Sequence, residues 1–325
     1  MKLAILGSGM MVRDFLSIAA EVPGIRLRSI FGLEAVRGEL DALQAQHAIE
    51  AVHTDYDACL ADPEVDTVYV GLPNRLHFEF ALRALQAGKH VICEKPFTVS
   101  LAEFDQLRAE AETRGLVLVE AITTQYLANY RAIKQRLPQL GQLKLIESNY
   151  SQYSSRFDAF RRGEVLPAFD PKMGGGALMD IGIYNVHLIV GLLGRPQAVA
   201  YSANIERGID TSGLLVLDYG TCKAVSVGAK DCRSAPHSNI QGELGSILLQ
   251  GHPNLCERFT VSLHGQDPED VDAKVHPHRM VEEFMAFEAM IANNDLAERD
   301  ARLEHTRAVL EVVTEGLSDA GVTLG

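Results

Sequence analysis

Leu3-Ala4-Ile5-Leu6-Gly7-Ser8-Gly9-Met10-Met11-Val12 stands at the start of the chain. A short apolar run enters a Gly-x-Gly turn, and beyond it Val12, Phe15, Leu16 and Ala19 recur at the spacing of one helix face. The stretch therefore reads as a strand over residues 3–6, a tight turn, and a helix over residues 10–20. In that setting glycines let the backbone approach a pyrophosphate, and the helix N-terminus receives the negative charge. Gly7, Ser8, Gly9, Met10 and Met11 are the candidate phosphate-loop residues; the place of a third glycine is taken by Val12.

Outward from this turn, residues 26–31, 68–72, 90–93 and 116–121 read as further strands, and a helix near 76–87 stops at Gly88. Strands alternating with helical stretches predict βαβ units and a doubly wound parallel sheet over residues 1–120. The loops Leu72-Pro73-Asn74, with His77 just beyond, and Glu94-Lys95-Pro96 each follow a predicted strand. In such a sheet the carboxyl ends of the strands share one edge, where ligands bind, so Leu72, Pro73, Asn74, His77, Glu94 and Lys95 join the candidate nucleotide-binding set. No acidic residue ends the second strand, Ile30-Phe31-Gly32-Leu33; Glu34 is the nearest candidate for a ribose and Arg37 the nearest cation for a 2′-phosphate. NAD and NADP both remain open.

Residues 121–325 change character. Alternating or β-rich runs at 143–153, 197–205, 214–218, 223–229 and 259–263, with turns such as Asp218-Tyr219-Gly220, predict an antiparallel sheet. Helices are expected over 177–193 and near the C-terminus, where Val281, Phe284, Phe287, Met290 and Ile291 recur at helical spacing. Gly174-Gly175-Gly176 leads into the first of these helices. Asp180, Tyr184 and His187 fall on one face of it, and the rest is almost wholly apolar. A buried carboxylate, phenol and imidazole must be satisfied by hydrogen bonds or open onto a polar cleft.

Composition narrows the partners. A chain of 325 residues exceeds the size of one ordinary core, so two domains, 1–120 and 121–325, are the expectation. A formal net charge of −13 disfavours nucleic acid and anionic membranes, and leaves a small molecule as the expected partner. Cys59, Cys93, Cys222, Cys232 and Cys256 form no C-x-x-C pair, which fits a reducing cytoplasm without a disulfide framework. No uncharged stretch approaches the roughly 20 residues of a membrane span, and the apolar start is too short for a signal peptide. Arg156, in the segment 154–162, lines the substrate cleft in one reading and a solvated loop in another; Tyr126 and Tyr153 divide between cleft edge and core in the same way. His276-Pro277-His278 lacks a third ligand at persuasive spacing, so no metal is expected.

Taken together, the glycine turn, Pro73-Asn74 with His77, Glu94-Lys95-Pro96 and the stretch from Gly174 to His187 resemble the Gfo/Idh/MocA family of glucose-fructose oxidoreductases, inositol dehydrogenases and dimeric dihydrodiol dehydrogenases. The resemblance implies a Rossmann domain followed by an α+β domain with an open, mainly antiparallel sheet, often used to form a homodimer or homotetramer. It implies that Lys95 lies beside the nicotinamide and the substrate hydroxyl, and that the bond before Pro96 is cis. Of the family pattern D-x-G-x-H-x-x-D, Asp180 and Gly182 match, whereas Tyr184 stands for the histidine and His187 for the last aspartate. That departure points to the branch carrying tyrosine, resembling glucose-fructose oxidoreductase and dihydrodiol dehydrogenase. Hydride transfer from a carbinol needs the hydroxyl proton removed; Tyr184 would do so with the Lys95 cation lowering its pKa, Asp180 would orient the substrate or the lysine, and His187 would bind another hydroxyl. Lys95, Arg156, Asp180, Tyr184 and His187 are thus the candidate substrate-binding residues. The expected activity is NAD(P)-dependent oxidation or reduction of a sugar, polyol, cyclitol or vicinal diol. The alternatives are a dinucleotide-binding sensor without turnover and an enzyme that retains its cofactor.

Overall fold

In the computed structural model, which describes residues 1–324, the chain divides into two units: Met1–Ala121 with Met280–Glu304, and Ile122–Arg279 with the residues from His305 onward. The first unit holds β1 (Lys2–Leu6), β2 (Arg26–Phe31), β3 (Ala51–His53), β4 (Thr67–Val70), β5 (His90–Glu94) and β6 (Leu118–Ala121). They form one parallel sheet in the order β3-β2-β1-β4-β5-β6. Its crossovers carry α1 (Met10–Ile18), α2 (Arg37–His47), α3 (Tyr56–Ala61), α4 (His77–Gln86) and α5 (Leu101–Arg114). Central strands covered on both faces need continuous apolar runs, and Leu3-Ala4-Ile5-Leu6 and Val68-Tyr69-Val70 are fully buried. The order reverses at β1, which pairs with both β2 and β4; the crevice at their carboxyl ends is where this topology binds ligands.

The second unit is built on eight strands: β7 (Leu143–Ser151), β8 (Ala198–Glu206), β9 (Ile209–Asp218), β10 (Lys223–Ala229), β11 (His237–Gly242), β12 (Gly245–Gln250), β13 (Arg258–Leu263) and β14 (Glu269–Val271). Their order is β14-β13-β12-β11-β7-β10-β9-β8, and every neighbouring pair is antiparallel except β7 with β10. Alternating burial along β10 and β12 marks one face turned to the core and one turned outward. The unit also holds α6 (Ala128–Arg136), α7 (Phe157–Arg161) and α8 (Ile183–Leu193), the last preceded by a π-helical turn, Leu178–Gly182. A buried polar network pins α8 to the sheet. Asn185 donates to Ser226 Oγ (3.1 Å) and the Val227 carbonyl (3.0 Å), and accepts from Ser148 Oγ (2.9 Å), which in turn meets Ser238 Oγ (2.7 Å). By length and a mean hydropathy of 1.6, Pro171–Leu193 is apolar enough to cross a membrane, but 72% of its most apolar stretch is buried within the unit.

Two further helices, α9 (Arg279–Ala292) and α10 (Leu296–Asp319), complete the chain. Residues Met280–Glu304 belong to the first unit, which corrects the expectation that everything after residue 120 folds with the second. The reason is packing. The Phe284 ring stacks on Phe15 at 4.1 Å and meets Tyr69 edge-on at 5.3 Å, while Arg299 donates to the Leu116 carbonyl at 2.9 Å.

Candidate active site

The candidate nucleotide-binding residues lie in the first unit. Gly7 has φ +101°, and a Cβ there would stand 2.7 Å from the Gly71 carbonyl oxygen, so only glycine makes this turn. Gly9 begins α1 with no side-chain cap, the first turn carries no acidic residue, and nothing lies within 4 Å of where a Gly9 Cβ would be. A helix start that no side chain caps and that has room beside its first glycine fits a pyrophosphate. Val12 is accommodated by Gly71: a Cβ at Gly71 would come 2.6 Å from Val12 Cγ2. The close approach of helix and strand that a third glycine usually permits is here made by a glycine on the other partner.

The polar surroundings of this turn differ from the expectation. Ser8 Oγ donates to Glu39 (3.3 Å), and Arg13 donates to both Glu39 (3.1 Å) and the Ser8 carbonyl (2.9 Å). Glu39, eight residues past the end of β2, is therefore the carboxylate at the glycine loop, while Glu34, exposed like it, stands in a short helical turn, Glu34–Val36. Arg37 pairs with Asp41 at 2.8 Å, and that hydrogen bond raises its pKa. Neither Glu39 nor Arg13 was legible as a site residue, because both reach the turn from helix positions that the strand-end rule does not cover.

The loops after β4 and β5 are joined by His77. Its ring is fully buried, with Nε2 2.8 Å from the Leu72 carbonyl and Nδ1 2.9 Å from the Pro96 carbonyl. Burial lowers its pKa against the pull of these two acceptors. This corrects its place among nucleotide-contacting side chains: both ring nitrogens are engaged by backbone, so His77 staples the loops. Glu94 is buried as well and accepts from the Tyr69 hydroxyl at 2.6 Å. Glu120, missed in the sequence, accepts the Phe97 N–H at 3.2 Å and holds the same loop from behind. Lys95 is the partly exposed member of the Glu94-Lys95-Pro96 triplet, and the Lys95–Pro96 bond is cis. Leu72 and Asn74 are partly exposed and Pro73 is exposed at the same sheet edge.

In the second unit a helix starts after Gly174-Gly175-Gly176. Asp210, fully buried, accepts the Leu178 N–H (2.7 Å) and the Tyr201 hydroxyl (2.8 Å), which caps the helix start; burial raises the Asp210 pKa. A Cβ at Gly176 (φ +108°) would collide with that carboxylate. The π-helical turn Leu178–Gly182 is wider than an α-turn, so Asp180, Tyr184 and His187 do not share the single face predicted from α-helical spacing. Asp180 is partly exposed and pairs with the buried Lys230 at 2.7 Å. Tyr184 is nearly buried beside Tyr150, with ring centroids 5.9 Å apart, and Tyr150 in turn meets the His252 ring at 4.4 Å. His187 is fully buried, its Nδ1 3.0 Å from His305 Nε2. The expectation that it binds a substrate hydroxyl is corrected: it belongs to a core histidine pair. Arg156 is exposed, Tyr126 lies in the core, and the exposed Tyr153 donates to Asp158 at 2.7 Å.

Residues 1–122 match the model of an oxidoreductase family with an NAD-binding Rossmann fold, and residues 130–248 match the GFO/IDH/MocA C-terminal domain. Over 323 residues the chain is 32% identical to scyllo-inositol 2-dehydrogenase (NADP(+)) IolU of Bacillus subtilis, covering 99% of this chain and 97% of that one. It is 29% identical over 220 residues to trans-1,2-dihydrobenzene-1,2-diol dehydrogenase of Oryctolagus cuniculus, covering 66% and 64% of the two chains. Among solved structures, the 3-ketoreductase KijD10 from Actinomadura kijaniata, with TDP-benzene and NADP, superposes with a TM-score of 0.83 at 20% identity, covering 98% and 97%. Levoglucosan dehydrogenase, with NADH and levoglucosan, gives 0.83 at 17% identity, covering 99% and 97%.

Proposed function

From a chain that belongs to the Gfo/Idh/MocA family of NAD(P)-dependent oxidoreductases, acting on CH–OH groups, we propose a dehydrogenase of cyclitols or closely related vicinal diols. The observation that carries this reading is the end-to-end match to a scyllo-inositol 2-dehydrogenase. The bound nicotinamide supplies the hydride acceptor or donor. The glycine loop from Gly7 to Met11 holds the pyrophosphate at the start of α1, and Leu72, Pro73 and Asn74 border it. Lys95 is assigned to the nicotinamide end and the substrate hydroxyl. Tyr184 exchanges the hydroxyl proton, Asp180 orients the substrate, and Arg156 reaches its outer hydroxyls. An ordinary phenol, with a pKa near 10, needs a neighbouring cation to act as a base at neutral pH, a role given to the Lys95 ammonium.

The same reading places the protein in the cytoplasm as a homodimer or homotetramer formed through the outer face of the second unit's sheet. Leu145, Leu214 and Val216 lie on that face with 49%, 48% and 43% of their surface exposed, and Val225 faces Val216 across the register. A monomer rarely leaves so many large apolar side chains together in water. Light scattering after gel filtration should give a dimer or larger, and Leu214→Lys with Val216→Lys should reduce it; a monomeric wild type would sink this assignment.

The test of activity is NAD(H) and NADP(H) binding by nicotinamide fluorescence, followed by turnover at 340 nm across inositols, sugars and vicinal diols. Lys95→Ala should bind dinucleotide within a few-fold of wild type and lose about a thousandfold or more in kcat, the range reported by groups acting in the transition state. Tight dinucleotide binding with no turnover on any diol would favour the sensor or the cofactor-retaining enzyme instead.

A further inference from the structure

We propose that Lys230 is a positioning residue for this reaction: its buried ammonium sets the direction of the Asp180 carboxylate. The proposal rests on the assignment of Asp180 to the substrate made above.

Lys230 is the first residue after β10, and its backbone N–H donates to the Thr211 carbonyl at 2.8 Å. Its side chain is 2% exposed, against 35% for Asp180. The ammonium stands 2.7 Å from Asp180 Oδ2 and 2.6 Å from the Ala168 carbonyl, and it lies 4.3 Å from the centroid of the Phe169 ring. A buried ammonium is costly unless its donors are engaged, and here a carboxylate, a carbonyl and an aromatic face engage it. The ion pair thus has a closed end and an open end. The cation is sealed inside the unit, and the carboxylate is the member that reaches solvent.

The geometry explains why Asp180 needs such a partner. It sits at the entry of the helix, in the π-helical turn Leu178–Gly182, with its carboxylate partly open to solvent. The Ala168 carbonyl that accepts from Lys230 also accepts the Gly176 N–H at 3.2 Å, and the Asp180 N–H donates to the Gly176 carbonyl at 3.1 Å. One cation therefore ties the end of β10, the 167–169 turn and the glycine entry of the helix to a single carboxylate. Sequence could not show this, because Lys230 follows Asp180 by 50 residues and stands in an unremarkable strand end.

The experiment is a double-mutant cycle in the full-length enzyme with its best diol substrate, using Asp180→Asn, Lys230→Met and the double variant. Methionine keeps a chain of similar length over Phe169 while removing the charge. Lys230→Met should lower kcat by about tenfold or more and leave the dinucleotide Kd within about twofold, and the double variant should lie within about threefold of Asp180→Asn alone. Lys230→Ala should recover activity with propylammonium, and the recovery should vanish in the Asp180→Asn background. Independent, multiplying effects of the two substitutions, or wild-type kcat in Lys230→Met beside an impaired Asp180→Asn, would overturn the proposal alone. Wild-type turnover in Asp180→Asn would instead remove the assignment on which it rests. Failure of both Lys230 variants to fold would make the lysine purely structural and equally overturn it.

Discussion

Val12 occupies a position where this kind of nucleotide loop usually has glycine. The structure shows the space supplied by Gly71, which lies on β4's side of the contact. Valine in a helix has little rotamer freedom with which to move away, so a methyl at Gly71 must displace the helix. Gly71→Ala should therefore destabilise the first unit by about 1–3 kcal/mol, as overpacking does. Adding Val12→Ala should recover part of the loss; thermal melts and dinucleotide titration would check both, and an unchanged melt for Gly71→Ala would refute the account. Glu39 teaches the same lesson. The strand-end rule looked for an acid next to Phe31, but the carboxylate at Ser8 arrives from α2.

Between elements, the staple made by His77 joins the loops after β4 and β5. Removing it in His77→Ala takes the single N–H of the neutral ring away from the Leu72 or Pro96 carbonyl and leaves a cavity between the loops, and should cost about 2–4 kcal/mol of first-unit stability. Its pH dependence has a definite sign. Burial holds the folded-state pKa below the ordinary 6.5, so the unfolded chain binds the proton more readily. The staple's contribution is present above pH 6.5 and is lost as the pH falls through the lower folded value. Melts between pH 7.5 and 5 should show this slope, and His77→Gln should flatten it. In the second unit, Asn185→Ala should cost about 2–4 kcal/mol, because Ser148, Ser226 and Ser238 would be left in a half-satisfied buried network. Some elements leave a readable trace in the sequence beyond their period. Ser100 caps α5 by accepting the Glu103 N–H, and the Glu103 side chain reaches back past the cap to accept from the Val99 N–H, the S-x-x-E signature of a helix start. The π-helical turn left none; the glycines before it signal a turn, but its register depends on Asp210 holding the helix start.

For the molecule as a whole, the first unit is discontinuous, which no boundary drawn at residue 120 captures. Phe284 fills the space beside Phe15 and Tyr69, so Phe284→Ala should cost the first unit about 3–5 kcal/mol and weaken dinucleotide binding although it lies far along the chain from the glycine loop. A saturating dinucleotide should raise the melting temperature of wild type, by about 2.7 kcal/mol of stabilisation at a hundred times its Kd. If Phe284→Ala left both melting and binding unchanged, the packing of α9 would be incidental.

The residues by themselves determined the alternation of strand and helix, the glycine turn at Gly7 to Gly9 between the first strand and helix, the loop Glu94-Lys95-Pro96 at the end of a strand, and the family to which the chain belongs. These are local: they depend on period, on glycine where φ is positive, and on short motifs within one βα unit. Only the tertiary structure decided that Gly71 makes room for Val12, that His77 and Glu94 serve the loops from inside, that His187 pairs with His305, and that Lys230 holds Asp180. Each of these joins residues distant in sequence, and its strength comes from burial, which excludes water from the contact and is a property of the folded chain alone.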